Sequence, residues 1–268
     1  MYRVNTDMYN AVNEEDILKM ARYMKAGFDI NEPYKDASSY GASGGCTLLY
    51  YAVEIFKYWA VKFLLDNGAD VNIANRGGKT PLHLIVSNRR IREPLRLGPR
   101  WHTDKFERMG CPIEIARMLI GAGARLDVKT LDRHRTPLED SLHSPDMVEL
   151  LLESGCMVHN TFHGESILLV EAAVEGGMKV LRLLIDAGVD PELGDSNEGH
   201  NALQASIHFN VTEAIPILMD ERLSRIRRGL IKAMGAHKRL GENLSILPIE
   251  DRVEDIVLDE LKRRYGLK

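Results

Sequence analysis

Apolar residues along the chain fall into short runs of helical period that close, five times over, on the same polar punctuation. Each run ends on a glycine followed within a few positions by Asp, Asn or His. The stretches are Tyr23 to Gly27 running on to Asn31, Phe63 to Gly68 running on to Asn72, and Met118 to Gly123 running on to Asp127. The last two are Leu150 to Gly155 running on to His159, and Leu183 to Gly188 running on to Asp190. The glycines are 41, 55, 32 and 33 residues apart, so two intervals sit at a period of about 33 residues and the longer ones need insertions. Such a pattern predicts second helices that stop at a left-handed glycine, where a side chain would cost about 1 kcal/mol. Leu64, Leu65, Leu151, Leu152, Leu183 and Leu184 form an apolar face that a single helix pair cannot bury and that stacked neighbours can.

A second signature precedes each of these stretches at a matching distance. It is led by Thr6, Thr47, Thr80, Thr136, Ser166 and Asn201, and its fullest form is Gly78-Lys79-Thr80-Pro81-Leu82-His83. From the leading residue to the next glycine the count is 21, 21, 43, 19 and 22. Thr80 before Pro81 reads as a helix start, because the hydroxyl satisfies free amides and proline lacks an N–H that would be unpaired there anyway.

Together, Thr80-Pro81-Leu82-His83 and Gly68-Ala69-Asp70-Val71-Asn72 resemble the ankyrin-repeat family. The resemblance covers about residues 5–220, and other copies depart from it mainly by replacing Pro or His. It implies an all-α ankyrin-repeat solenoid of stacked helix pairs with hairpin-like finger loops, here with a helical C-terminal cap. The expected organisation is an ankyrin domain at 1–220, of about six repeats with insertions near 32–44 and 88–110, followed by a cap or recruitment tail at 221–268. The function implied is a protein-binding scaffold or adaptor that holds a partner protein on the concave ankyrin surface and its finger tips. On that frame the candidate contact residues are Tyr34, Tyr40, Asn75, Arg76, Arg133, His134, Arg135, Asn197 and His200. The family also implies that His83 ties adjacent repeats together and that Asn72 is an acceptor for asparaginyl hydroxylation.

The departures from the period are where individual function is expected. Residues 31–44 make a Gly, Ser and Pro-rich loop carrying Tyr34 and Tyr40, which suit interface anchors. Residues 88–110 add an arginine-rich insertion around Trp101, suited to an acidic partner or a phosphate, although such loops are commonly just solvated. Arg222 to Arg239 carries seven basic residues and no acidic one on an amphipathic pattern, which reads as a capping helix with a solvated basic face. Beyond it, Leu244, Leu247, Pro248 and Ile256 loosely resemble an F-box-like opening. The alternative function is therefore a ubiquitin-ligase substrate receptor that recruits an adaptor through this tail.

Composition narrows the picture further. A net charge of −4 gives no general attraction to nucleic acid or anionic membrane. The three cysteines, an odd and scattered set, point to a reducing compartment. No leader or membrane-length apolar run is seen, so the expectation is a cytoplasmic or nuclear monomer. Cys156, His159 and His163 have metal-like spacing, but Cys156 falls in the small slot of Ala69 and Ala124 and no fourth ligand follows. No metal site is expected. No nucleophile elbow, phosphate loop or dinucleotide fingerprint occurs, so neither an enzyme nor a cofactor is expected.

Overall fold

The computed structural model describes residues 2–33, 45–87, 112–158, 168–191, 201–209, 211 and 213–219. Its helices are α1 (Tyr2–Glu14), α2 (Ile17–Lys25), α3 (Leu48–Glu54), α4 (Tyr58–Asp66), α5 (Pro81–Val86) and α6 (Pro112–Gly121). They continue with α7 (Pro137–Asp140), α8 (Pro145–Glu153), α9 (Leu168–Glu171), α10 (Gly177–Asp186) and α11 (Ala202–His208). A π turn, Ala172–Gly176, joins α9 to α10, and residues 214–219 are helical. Among the described residues there is no strand, and the fold is the all-α one that the repeat pattern implies.

The chain divides into two compact units, one comprising Met1–Asn160 with Glu175–Leu183, the other Thr161–Val174 with Leu184–Lys268. In the first, α1 packs on α2, α3 on α4 and α5 on α6. The leading helices α1, α3, α5 and α7 touch in sequence, and so do the following helices α2, α4, α6 and α8. In the second, α9 packs against α11.

Repetition of the core follows from repetition of the sequence. The residue four before each C-cap glycine is fully buried in four copies, as Leu64, Leu119, Leu151 and Leu184. Their partners Leu65, Leu152 and Leu183 are only half-buried, because adjacent helical residues lie about 100° apart and one helix face cannot hold both. Gly27, Gly68, Gly123, Gly155 and Gly188 all adopt left-handed φ, from +84° to +91°. In every copy the amide after the glycine donates back to the carbonyl of that core position or its equivalent, as Ala69 N to Leu64 O at 3.0 Å and Cys156 N to Leu151 O at 3.0 Å.

The helix starts explain how degenerate copies still fold. Thr80 and His83 form a reciprocal capping box; so do Thr136 and Glu139, and Asn201 and Gln204. What the position needs is a side-chain acceptor three residues into the helix, and His, Glu and Gln all supply one. Thr6 is different from its expected place at a helix start: it lies inside α1, which runs back to Tyr2. No proline follows Thr6 to fix a first turn there.

Candidate functional site

Two inter-repeat tips are described, 75–79 and 130–135, and both are locked from within. Asn75 N donates to Lys79 O at 2.9 Å and Gly78 N to Asn75 O at 2.9 Å. The Asn75 Oδ1 accepts from Gly77 N and Lys79 N at 2.9 and 3.0 Å, while its Nδ2 donates to the Tyr50 Oη at 3.0 Å. Asn75 is only 5% exposed. In the next tip Thr130 N donates to Arg135 O at 3.0 Å and Arg135 N to Thr130 Oγ1 at 3.1 Å. Leu131 N donates to Gly77 O at 2.9 Å, so one tip is bonded to the other.

These bonds sort the sequence-based candidates. Asn75 is an internal fastener of its turn and not an outward side chain. Arg135 also turns inward, its Nε on Asp140 Oδ1 at 3.0 Å and its Nη2 on the Glu139 carbonyl. Arg76, Arg133 and His134 are exposed, and among the described residues neither Arg76 nor Arg133 has an ion-pair partner. Leu131 escaped the sequence reading, yet it is 67% exposed at the crest of the second tip. Its signal was one leucine inside the polar run Lys129 to Arg135, too short to carry a period. Lys79 and Lys129 add half-exposed cations nearby, and a hydrogen bond from Thr130, helped by Lys79, holds Asp132 below the usual carboxylate range. Tyr34, Tyr40, Asn197 and His200 lie outside the described residues, as do the tail positions Leu244, Leu247, Pro248 and Ile256 and the insertion around Trp101.

His83 does what the family resemblance implied. It is fully buried; its Nδ1 faces the Thr80 amide at 3.3 Å and the Thr80 hydroxyl at 2.8 Å. Its Nε2 lies 3.1 Å from Val128 O and 3.2 Å from Arg135 O, on the two sides of the hairpin that leads into the next repeat. An amide can only donate, so Nδ1 is the acceptor and Nε2 carries the hydrogen. Burial pushes the imidazole pKa down, against the opposing pull of Asp140 and of the two carbonyls.

Asn72, the modification candidate, is half-buried and clamped. Its Nδ2 donates to Gly123 O at 3.1 Å, and its Oδ1 accepts from Arg125 N at 2.8 Å. Asn31 makes the same pair of bonds one repeat earlier, to Gly68 O at 3.3 Å and from Asp70 N at 2.8 Å. At the third position Asp127 replaces asparagine; a carboxylate has no N–H to give, and it engages Arg125 of its own loop at 3.2 Å. Changing Asn72→Asp is therefore expected to destabilise the first unit by about 1–2 kcal/mol, since it sets a carboxylate against a carbonyl. Urea denaturation at neutral pH measures this, and a loss below about 0.3 kcal/mol would remove the clamp from the account.

The two described cysteines are free thiols held mainly protonated by their surroundings. Burial, reinforced by Glu54, pushes the Cys46 thiol up to about 11, and burial with Asp127 and Glu139 pushes Cys156 up to about 11. The Cys156 Sγ donates weakly to Leu126 O at 3.9 Å, while His159 and His163 lie outside the described residues. Iodoacetamide at pH 7.5 is expected to label Cys46 and Cys156 slowly in the folded chain and at least ten-fold faster in urea, by the loss of thiolate that such pKa values impose. Equal rates, read by mass spectrometry, would refute their placement.

Paired helices, left-handed glycine caps, capping boxes and asparagine clamps between neighbours define a stacked helical-repeat protein. Residues 44–76 match the family model described as Ankyrin repeat, and the chain is an ankyrin-repeat protein. Among known proteins it is 30% identical over 141 residues to the ankyrin repeat protein FPV222 of Fowlpox virus, an alignment covering 49% of this chain and 18% of the viral one. It is 30% identical over 133 residues to an ankyrin repeat protein of Rickettsia felis, covering 48% and 47% of the two chains. It is 27% identical over 168 residues to protein R841 of Acanthamoeba polyphaga mimivirus, named for the same repeat and covering 59% and 25%. The chain thus spans less than half the length of these relatives. Ankyrin repeats are a protein–protein interaction module. No helix among the described residues is long and apolar enough to cross a membrane.

Proposed function

We propose that this chain is a non-enzymatic scaffold that docks a partner protein on its inter-repeat tips, through Arg76, Leu131, Arg133 and His134. The repeat frame of the sequence gives Tyr34, Tyr40, Asn197 and His200 the same expected role, and they lie outside the described residues. On this reading residues 1–220 form the binding domain and 221–268 a cap or recruitment tail. The observation that supports it is the contrast at the tips between locked backbone and exposed side chains. The main chain of 75–79 and 130–135 is closed by its own hydrogen bonds, while Arg76, Leu131 and Arg133 are exposed. A surface already ordered loses little entropy when a partner lands on it.

Replacing Arg76, Leu131 and Arg133 together by alanine is expected to weaken binding of a captured partner at least ten-fold, the scale of one or two interface anchors. The melting temperature should stay within about 2 °C of the parent, as exposed substitutions change stability little. Titration calorimetry with the purified partner reads the first, and calorimetric melting the second. Unchanged affinity would move the site away from the tips.

A further inference from the structure

A different face of the first unit carries a feature that neither the core nor the tips employ. The position nine residues before each C-cap glycine is occupied in turn by Leu18, Trp59, Glu114, Asp146 and Lys179. All five are exposed, and in the last three copies the residue is charged, so this register belongs to solvent. In the first two it is apolar and large, with Leu18 at 74% and Trp59 at 54% exposure. The two side chains sit on the opening turns of neighbouring helices: the Glu15 carboxylate, just before α2, accepts from Trp59 N at 3.3 Å in α4. A cavity of about 420 Å³ opens beside Leu18, lined by Asp16, Leu18, Lys19, Arg22 and Tyr23. The Trp59 ring is held edge-on to Tyr58 at 5.2 Å, with the Lys62 ammonium 5.8 Å from its centre.

Charge divides along the same row of helices. Helix α2 carries Lys19, Arg22 and Lys25 with no acidic residue, whereas α8 carries Asp146, Glu149 and Glu153 with no basic one. Around the apolar pair, Glu14 lies 4.0 Å from Lys19, the Asp16 carboxylate caps α2, and Asp66 is at the far end of α4. Arg22, Lys25 and Lys62 are exposed and, among the described residues, have no ion-pair partner. The face is thus a pair of apolar anchors inside a basic rim.

We infer that the exposed face of α2 and α4 is a second docking surface that takes an acidic amphipathic helix of a partner protein. Its leucine-like side chains rest on Leu18 and Trp59, and its carboxylates meet Arg22, Lys25 and Lys62. Neighbouring helices pack about 8–10 Å apart, and residues i and i+7 of a helix are about 10 Å apart, so one apolar stripe reaches both anchors. The basic rim selects against a basic helix of the same shape. None of this depends on the hairpin tips.

The test uses the full chain with Trp101→Phe, which leaves Trp59 as the sole tryptophan. The probe is a synthetic peptide with leucines at i, i+4 and i+7 spacing and glutamates elsewhere. A control peptide keeps the leucines and exchanges glutamate for lysine. The expected result is a saturable blue shift of Trp59 emission with the acidic peptide, and at least ten-fold weaker binding of the basic one. Leu18→Ser and the pair R22E/K62E should each lower affinity at least five-fold without changing the melting temperature. No saturable shift, equal binding of both peptides, or insensitivity to both variants would overturn the proposal. Concentration-dependent dimerisation in sedimentation velocity, abolished by Leu18→Ser, would assign the face to a second copy of the chain and overturn it as well.

Discussion

Replacing Gly78 by alanine is expected to destabilise the first unit by about 2–4 kcal/mol, the sum of left-handed strain and forced overpacking. Gly78 has φ +77°, a region that L side chains rarely adopt. A Cβ there would also lie 2.8 Å from the Leu131 backbone nitrogen and 2.8 Å from Leu131 Cγ. The leucine tip can swing away, but the nitrogen cannot, because its N–H is bonded to Gly77 O. Relief therefore means parting the two tips. Gly68 is the internal control: its φ of +86° is equally strained for alanine, yet nothing lies within 4 Å of the added carbon. Gly68→Ala should cost only about 1 kcal/mol. Urea denaturation of both variants reads the difference, and equal losses would show that the contact between tips contributes nothing.

His83→Ala is expected to cost about 3 kcal/mol at pH 7.5, since it strands the Val128 carbonyl, takes from the Arg135 carbonyl one of its two donors and opens the capping box at Thr80. His83→Gln should recover most of that loss. Glutamine has an acceptor for the Thr80 amide and donors for the carbonyls, and Gln204 already fills the same capping role. The pair also separates hydrogen bonding from titration. The folded pKa of His83 lies below its ordinary 6.5 because burial disfavours the cation. Above pH 7 the ring is neutral in both states and its contribution is complete. As pH falls through 6.5 the unfolded chain takes up a proton that the folded one refuses, so stability drops until the pH passes below the folded pKa. The slope from this one group is at most about 1.4 kcal/mol per pH unit. The parent should lose stability between pH 7 and 5.5 more steeply than His83→Gln; parallel curves would refute a buried neutral imidazole.

Much of this arrangement was legible in the sequence because its parts are local. A left-handed cap needs glycine, and Gly27 to Gly188 announce five of them; a Thr-Pro pair announces a helix start at Thr80 and Thr136. The inward turn of Asn75 and Arg135 was not legible. Their partners Tyr50 and Asp140 lie in the leading helices, and whether a polar side chain bonds inward or faces water depends on that packing and not on its own type. Leu18 and Trp59 were missed for a related reason. An apolar residue in a helical run counts toward the core by default, and only the comparison of one register across copies shows that this register faces water.

In a linear stack, cooperativity passes only from each repeat to the next, so the whole is as cooperative as its thinnest joint. Asn31 and Asn72 rivet two successive joints with two bonds each, and Asp127 leaves the third without a donor for its neighbour's carbonyl. What spans that seam at the same height is a thiol contact of 3.9 Å. The joint between Asp127 and Gly155 thus lacks the asparagine rivet, and its tie lies at the opposite edge, where buried His83 meets Arg135 O at 3.2 Å.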